Sequence, residues 1–151
     1  MADTRQLYEQ VILDHNKKPR NFGELPDADR KAEGYNALCG DHFTVFLNLD
    51  GDTISEVHFA GAGCAISKSS ASVMTTLLKG KTVAEAEALF EKFRAMITSD
   101  HTAPLDADGL GKLMVFSGVR EYPVRIKCAT LPWHTMLSAL HGPTPEPVST
   151  E

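Results

Sequence analysis

The apolar residues of this chain follow two periods, and each period predicts a different kind of element. Over most of the sequence they recur at intervals of three and four residues, the spacing that gives a helix one apolar side. In a central region they alternate with polar residues, as in a strand with one buried face. Helical spacing predicts helices over residues 4–15, 66–80, 82–97 and 110–119, and a last helix that ends near residue 141.

The starts of two helices carry local signals. Thr82 and Glu85 match a capping box, in which each side chain satisfies a free backbone N–H of the other residue. The last helix is expected to begin close to Cys128. Pro132 would then lie in its first turn, where the missing N–H of proline costs little because it would have no partner inside the helix.

Residues typical of strands dominate the central region. Two such runs, residues 42–49 and 54–60, flank the turn sequence Asp50-Gly51-Asp52 and therefore predict a β-hairpin. A third strand is expected within residues 30–38, where the pattern is weaker. Helices around a small hairpin-based sheet indicate an α+β fold, with a mainly antiparallel three-stranded sheet and the helices packed on one of its faces.

Length and composition describe one ordinary domain. The chain has 151 residues, of which 42% are hydrophobic, and this is enough for a single buried core. We expect residues 1–141 to form that domain and the Pro-rich segment 142–151 to be a disordered tail. The net charge of -5 argues against a nucleic-acid partner. Because no long apolar run or apolar leader is present, we expect no membrane partner and a cytoplasmic location.

Three cysteines are the most reactive side chains of the chain. Their odd number argues against a secreted disulfide framework and leaves core residues, metal ligands or nucleophiles. Each lies at a predicted element boundary: Cys39 precedes the first hairpin strand, Cys64 follows Gly61-Ala62-Gly63 and precedes a helix, and Cys128 lies near the start of the last helix. Since a helix N-terminus favours thiolate over thiol, these positions favour metal binding or nucleophilic chemistry.

Spacing alone leaves the nature of a cysteine site open. No two cysteines form a CxxC pair, so a shared site would have to be assembled by the fold. Zinc binds thiolate, imidazole or carboxylate groups in a tetrahedron. Asp41 would share a face with Cys39 in an extended chain, whereas His42 would point away and His58 would be a competing ligand. Asp41 is also typical of a turn residue that precedes a strand.

Three segments around these cysteines resemble the IscU/NifU-like family of iron–sulfur cluster assembly proteins. They are residues 36–41 (NALCGD), 61–72 (GAGCAISKSSAS) and 125–133 (RIKCATLPW). The resemblance covers residues 5–141 in the same order, and the three motifs together are specific. The first helix and the turn after it also match the family, at Tyr8, Val11, Ile12, His15, Pro19, Arg20 and Asn21.

Two features resemble the SufU branch of this family. Lys127 occupies the position before the third cysteine, where IscU scaffolds have a histidine. The stretch between the second and third cysteines is also longer than in IscU, with the extra residues around 95–120. The SufU resemblance implies one tightly bound zinc ion. The ligands that it carries over to this chain are Cys39, Asp41, Cys64 and Cys128.

The same resemblance implies a function in sulfur transfer. A SufU-type protein is a zinc-dependent sulfur acceptor, at most a sulfurtransferase, which takes persulfide sulfur from a SufS-type cysteine desulfurase and passes it to downstream SUF scaffold proteins. A histidine of the desulfurase is expected to take a zinc position and to free Cys39, the expected acceptor. Arg125 is expected to dock the desulfurase, whereas Lys127 fits both a functional role and a solvated surface charge.

Two other functions stay open. The chain is also compatible with a scaffold on which a [2Fe–2S] cluster is assembled, with the same cysteines and Asp41 as ligands, and with a metal-stabilised domain that has no reactive thiol. Helix capping explains the serines at positions 67–72, because a G-x-S-x-G nucleophile motif is absent. Trp133 is expected in the core, and His15 has no assigned chemistry.

Overall fold

The computed structural model describes residues 4–104, 108–142 and 148–149 of the chain. Its helices are α1 Thr4–Lys17, α2 Ala65–Leu78, α3 Val83–Ile97, a 3₁₀ helix Gly111–Glu121 and α4 Pro123–Leu140. Its strands are β1 Arg30–Asn36, β2 Asp41–Asp50, β3 Thr53–Ala62 and β4 Val148–Ser149. Among these described helices, none has the length and apolar composition needed to cross a bilayer.

β2 is the centre of the sheet, with β1 and β3 antiparallel on its two sides. The β2–β3 connection is the predicted hairpin. Gly51 at its turn has a φ of 63°, which residues with a side chain adopt only at a cost. The predicted three-stranded antiparallel sheet is therefore confirmed, and the weakly predicted third strand is β1.

A short fourth strand borders β1. β4 pairs in parallel with Gly34 and Tyr35, which gives the sheet the order β3-β2-β1-β4. β4 lies in the segment 142–151, which the composition predicts to be disordered. Residues 143–147 and 150–151 of that segment lie outside the described residues. At Gly34 and Tyr35, the edge of β1 is therefore paired with backbone from the far end of the chain.

One face of the sheet carries the core, and the α+β arrangement with helices on one face is confirmed. Along β1, Ala32, Gly34 and Asn36 are buried while the residues between them are exposed. α4 packs across β1 and β2, and α2 packs beside α4 and against β3. Trp133 of α4 is fully buried and stacks on Phe90 of α3, with 5.9 Å between the ring centroids, so the expectation of a core tryptophan is also confirmed.

The start of α4 differs from the prediction. The helix begins at Pro123, more than one turn before Cys128, and Pro132 lies in its interior. Pro123 takes the first-turn position that suits a residue without an N–H, and the buried packing of residues 128–133 keeps the helix continuous through the second proline. Because Pro132 has no N–H to donate, the carbonyl of Cys128 lacks its usual helical partner four residues on.

Candidate metal centre

Three separate parts of the fold bring the predicted ligands together. Cys39 lies in the turn between β1 and β2, Asp41 is the first residue of β2, Cys64 is the N-cap of α2, and Cys128 lies in α4. Gly40 has a φ of 68° and reverses the chain between Cys39 and Asp41. Asp41 and Cys128 are fully buried, whereas Cys39 and Cys64 are half-buried.

The ligating atoms of Cys39, Asp41 and Cys128 all lie within 4.8 Å of one another. The Sγ atoms of Cys39 and Cys128 are 2.7 Å apart, well beyond the roughly 2.05 Å of a disulfide bond, and both thiols are free. Cys64 is outside this group of three but shares a hydrogen bond with the Cys128 thiol. Asn36 is buried beneath the centre, with its Nδ2 atom 4.0 Å from the Cys128 Sγ.

The two carboxylate oxygens of Asp41 have different surroundings. Oδ1 accepts hydrogen bonds from the Cys64 backbone N–H at 2.8 Å and from the Ser67 hydroxyl at 3.0 Å. Oδ2 is buried and has no hydrogen-bond partner among the described residues. A buried carboxylate oxygen without a partner is costly, and a cation would compensate it. Three thiols and one such oxygen are a donor set that fits Zn²⁺.

The thiols of Cys64 and Cys128 are electrostatically linked. The hydrogen bond from Cys128 stabilises the Cys64 thiolate and lowers the pKa of Cys64 to about 5, against the opposing effect of burial. The Ser67 N–H, which points at the Cys64 Sγ from 3.5 Å, acts in the same direction. The hydrogen bond to Cys64, together with burial, raises the pKa of Cys128.

Arg125 provides a positive charge beside these sulfurs. Its side chain is exposed on the first turn of α4. The nearby Cys64 thiolate and a hydrogen bond with Cys128 raise the pKa of Arg125, which means that the guanidinium stabilises negative charge in the cluster. Lys127 is exposed on the same helix.

A cavity of about 630 Å³ opens over the cluster. Cys39 and Cys64 line this cavity, whereas Cys128 is buried. Much of its rim is apolar and solvent-exposed: Leu38 is 70% exposed and Tyr122 is 53% exposed. The other lining residues are Glu121, Pro123, Val124 and Arg125. A partner that contacts this rim would lie beside the two half-buried cysteines.

The competing histidines lie elsewhere. His42 is exposed on the opposite face of β2 from Asp41, with its Nε2 atom 3.5 Å from Glu33. His58 lies on β3, 3.7 Å from Glu56. The structure thus brings Cys39, Asp41 and Cys128 together with Cys64 beside them, and it keeps these two histidines away. That these four residues bind zinc stays a prediction.

Two residues of the centre were not assigned a role from the sequence. The sequence indicates Ser67 as one of several capping serines, yet its hydroxyl contacts Asp41. Asn36 was only part of a matching motif, yet its amide approaches Cys128. The available signal for Ser67 is its place three residues after Cys64, where the N–H and hydroxyl of a first-turn residue point at the N-cap.

Comparison with known proteins identifies the family. Residues 7–129 match the NifU-like N terminal domain. The chain is 40% identical over 135 residues to the zinc-dependent sulfurtransferase SufU of Bacillus subtilis (strain 168), an alignment that covers 89% of this chain and 90% of that protein. It is 36% identical over 140 residues to the iron–sulfur cluster assembly scaffold protein IscU of Streptococcus pyogenes serotype M1, with 93% and 86% covered.

Solved structures give the same result. The crystal structure of FiSufU from the thermophile Fervidobacterium islandicum AW-1 superimposes with a TM-score of 0.81 at 36% identity, covering 91% of this chain and 99% of that chain. The N-terminal part of a NifU-like protein from Brucella abortus has a TM-score of 0.80 at 22% identity and shares the fold. The chain therefore belongs to the NifU-like N-terminal domain family of iron–sulfur cluster assembly proteins, and it is similar to both SufU and IscU members.

Proposed function

We propose that this protein is a zinc-dependent sulfur acceptor in iron–sulfur cluster assembly. The observation that carries the proposal is the division of the cluster into a buried base and an open top. Asp41 and Cys128 are fully buried, while Cys39 and Cys64 line a cavity with an apolar rim. In such a site the buried Asp41 and Cys128 would hold the metal, and the cysteines at the cavity would be open to a partner protein.

The proposed zinc ligands are Cys39, Asp41, Cys64 and Cys128. The unpartnered Oδ2 of Asp41, the close approach of Cys39, Asp41 and Cys128, and the hydrogen bond between Cys64 and Cys128 support this set. When bound, zinc would keep the thiols deprotonated and shield them from oxidation. The similarity to a protein named zinc-dependent sulfurtransferase SufU supports zinc rather than another metal.

Cys39 is the proposed acceptor among the two accessible cysteines. Cys64 is held in place as an N-cap, with its sulfur accepting the Ser67 N–H and its own N–H donated to Asp41. Cys39 lies in a turn next to Gly40, and the space beside Gly40 is open: a Cβ atom added there would meet no atom within 4 Å. A turn residue needs less rearrangement than a helix cap to meet a partner's sulfur.

The reaction is an exchange between sulfurs. The Cys39 thiolate attacks the terminal sulfur of a persulfide on the partner's cysteine, and a new S–S bond forms at Cys39. The S–S bond of the partner breaks, and its cysteine leaves as a thiolate. Cys39 then carries the persulfide, and no external oxidant or reductant is needed.

The proposed donor is a SufS-type cysteine desulfurase, and downstream SUF scaffold proteins are the proposed recipients. The apolar rim at Leu38 and Tyr122 offers a contact surface. Arg125 adds a cation at the edge of the cavity, where it would pair with an acidic group of the desulfurase.

The test is the stimulation of a SufS-type desulfurase by the purified protein. Replacing Cys39 with alanine should abolish the acceleration, because no thiolate would then receive the sulfur, and no persulfide should be detected on the chain by mass spectrometry. Tyr35→Ala serves as a control, since Tyr35 is exposed near the turn but contributes no sulfur. A Cys39→Ala protein that stimulates as well as the unmodified chain would show that Cys39 is not the acceptor.

A [2Fe–2S] scaffold is the second candidate function. The similarity to the Streptococcus pyogenes IscU scaffold supports it, and the same donor set would hold the cluster. Purification without oxygen separates the two functions, because a protein that carries an iron–sulfur cluster is brown and a zinc protein is colourless.

A further inference from the structure

We propose that Ser67 is a positioning residue of the metal centre: its hydroxyl fixes the Asp41 carboxylate so that only Oδ2 faces the metal. The inference rests on the proposed zinc site. It adds a residue outside the ligand set and assigns it control over how firmly the fourth ligand holds the ion.

Ser67 contacts two of the proposed ligands at once. Its Oγ atom lies 3.0 Å from the Asp41 Oδ1 and 3.1 Å from the Cys64 backbone carbonyl oxygen. Its backbone N–H donates to the Cys64 Sγ at 3.5 Å. A hydroxyl has one proton, and an ionised carboxylate is the stronger acceptor of the two oxygens. Because Ser67 is fully buried, bulk solvent does not reach this hydroxyl.

The hydrogen bonds to Asp41 are distributed unequally. Oδ1 receives both donors, the Cys64 N–H and the Ser67 hydroxyl, while Oδ2 receives none from the described residues. Two hydrogen bonds to the same oxygen restrict the rotation of the carboxylate. A carboxylate held in this way offers a single oxygen to a cation, which is the usual effect of hydrogen bonds to the outer atoms of a metal ligand.

Gly63 lies directly against this contact. A Cβ atom added to Gly63 would lie 2.6 Å from both the Asp41 Oδ1 and the Ser67 Oγ. A side chain at position 63 would therefore have to displace one of these two groups. The geometry therefore depends on the fit between Gly63, Asp41 and Ser67.

The neighbouring serines of α2 have different partners. Ser69 is as buried as Ser67, but its hydroxyl donates to the Ile66 carbonyl of its own helix at 3.1 Å. Ser70 donates to the Ala129 carbonyl at 2.6 Å. Neither hydroxyl contacts Asp41 in these bonds. Ser69→Ala is therefore a matched control, because it removes a buried hydroxyl from the same helix without touching the centre.

The experiment measures zinc affinity of the isolated protein by competition with a chromogenic chelator. Ser67→Ala should weaken zinc binding by about 10- to 100-fold, the range found for residues that orient metal ligands. Ser69→Ala should bind zinc as the unmodified chain does. In the Co²⁺-substituted proteins, only Ser67→Ala should change the visible absorption bands, because these bands report the coordination geometry. Equal affinities and spectra for the two variants would overturn the proposal.

A double-mutant cycle tests whether Ser67 acts through Asp41. Asp41→Asn removes the metal-facing oxygen but keeps the size of the side chain. In that background, Ser67→Ala should cause no further loss of zinc affinity. An undiminished loss there would show that Ser67 acts on Cys64 or on the fold, and the proposal would be wrong.

The outcomes separate this inference from the proposed function. If the unmodified chain retains no zinc, the metal site and this inference both fail. If it retains zinc but does not accept sulfur, only the proposed function fails. The Ser67 comparison uses no desulfurase, so it can succeed or fail on its own.

Discussion

At the scale of single residues, the metal centre depends on the absence of a side chain at Gly63. Gly63 leaves the space into which Asp41 and Ser67 fit, and an added Cβ would also lie 2.8 Å from the ring of Phe43. All three neighbours are fully buried, so none can move away into solvent. The backbone of Gly63 needs no positive φ, which means that any effect of a side chain there is steric.

Gly63→Ala should therefore disturb the centre directly. We expect the zinc content of the purified protein to fall and the free energy of unfolding of the metal-free protein to decrease by about 1–3 kcal/mol, as for other overpacked sites. Elemental analysis and urea denaturation measure the two effects. Gly118→Ala is the matched control, because a Cβ there meets no atom within 4 Å. If both variants match the unmodified chain, the close fit around Asp41 is not real.

The residue scale is also where sequence reasoning reached its limit. The resemblance of the motifs predicted Cys39, Asp41, Cys64 and Cys128, and the fold brings them together. The contact between Ser67 and Asp41 joins residues 26 positions apart. A serine in the first turn of a helix has a sufficient local explanation as a capping residue, so nothing in the local sequence indicates a partner on a neighbouring strand.

At the scale of elements, α1 is fastened to α2 through a buried histidine. His15 is 3% exposed, and its Nδ1 atom lies 2.7 Å from the Ser72 hydroxyl. The same hydroxyl accepts the backbone N–H of Arg20 at 2.8 Å. The histidine that the family pattern left without a chemical role is therefore part of the contact between two helices.

This contact should make stability depend on pH. Burial, and then the positive charges of Arg20 and Lys112, lower the pKa of His15, with Asp14 opposing. An unfolded histidine has a pKa of about 6.5, so below that pH the unfolded chain binds a proton that the folded chain resists. The stabilisation is complete above about pH 6.5 and is lost as the pH falls toward the lower pKa of the folded state.

We expect His15→Asn to reduce the loss of stability between about pH 7.5 and pH 5.5, although it lowers stability at neutral pH. Urea denaturation of the metal-free protein in a chelator measures this, since zinc binding itself depends on pH. Leu13→Ala, an exposed substitution on the same helix, should leave the pH dependence as it is. If the pH dependence of stability is the same in His15→Asn as in the unmodified chain, that dependence comes from other titratable groups.

Elements with a clear hydrophobic period gave clear predictions, whereas β1, with a weak period, was predicted only as a strand somewhere within residues 30–38. The capping box at Thr82 and Glu85 predicted the start of α3, and both hydrogen bonds are present. The hydrophobic pattern of β1 was weak because its buried residues are small or polar. At Gly34 a larger residue is excluded, since an added Cβ would collide with Thr135 of α4. Only the packing of α4 against β1 explains why so little side chain is allowed there.

At the scale of the whole molecule, metal binding should be coupled to folding. The unfolded chain has no assembled site, so zinc that binds the folded state stabilises it by mass action. At free zinc about 100-fold above the dissociation constant, the free energy of unfolding should increase by about 2.7 kcal/mol. Denaturation in zinc buffers measures the increase.

Mg²⁺ at the same concentration is the control for zinc, because it prefers oxygen ligands and an octahedral site. It should leave stability unchanged. A chain that is equally stable with zinc, with Mg²⁺ and with chelator would rule out a zinc site built into the fold.

The position of Cys39 in a turn has a consequence for the continuity of the chain. Cys39 and Cys128 are 89 positions apart. A metal ion bound to both would therefore cross-link the chain and close a loop of more than half of its residues. If Cys39 leaves to carry sulfur, Asp41 still ties the start of β2 to the metal, only two positions further along. The loop therefore stays closed, and its entropic benefit is almost unchanged because that benefit varies slowly with loop length. Cys39 can therefore leave the metal to transfer sulfur while the metal still links the start of β2 to α4.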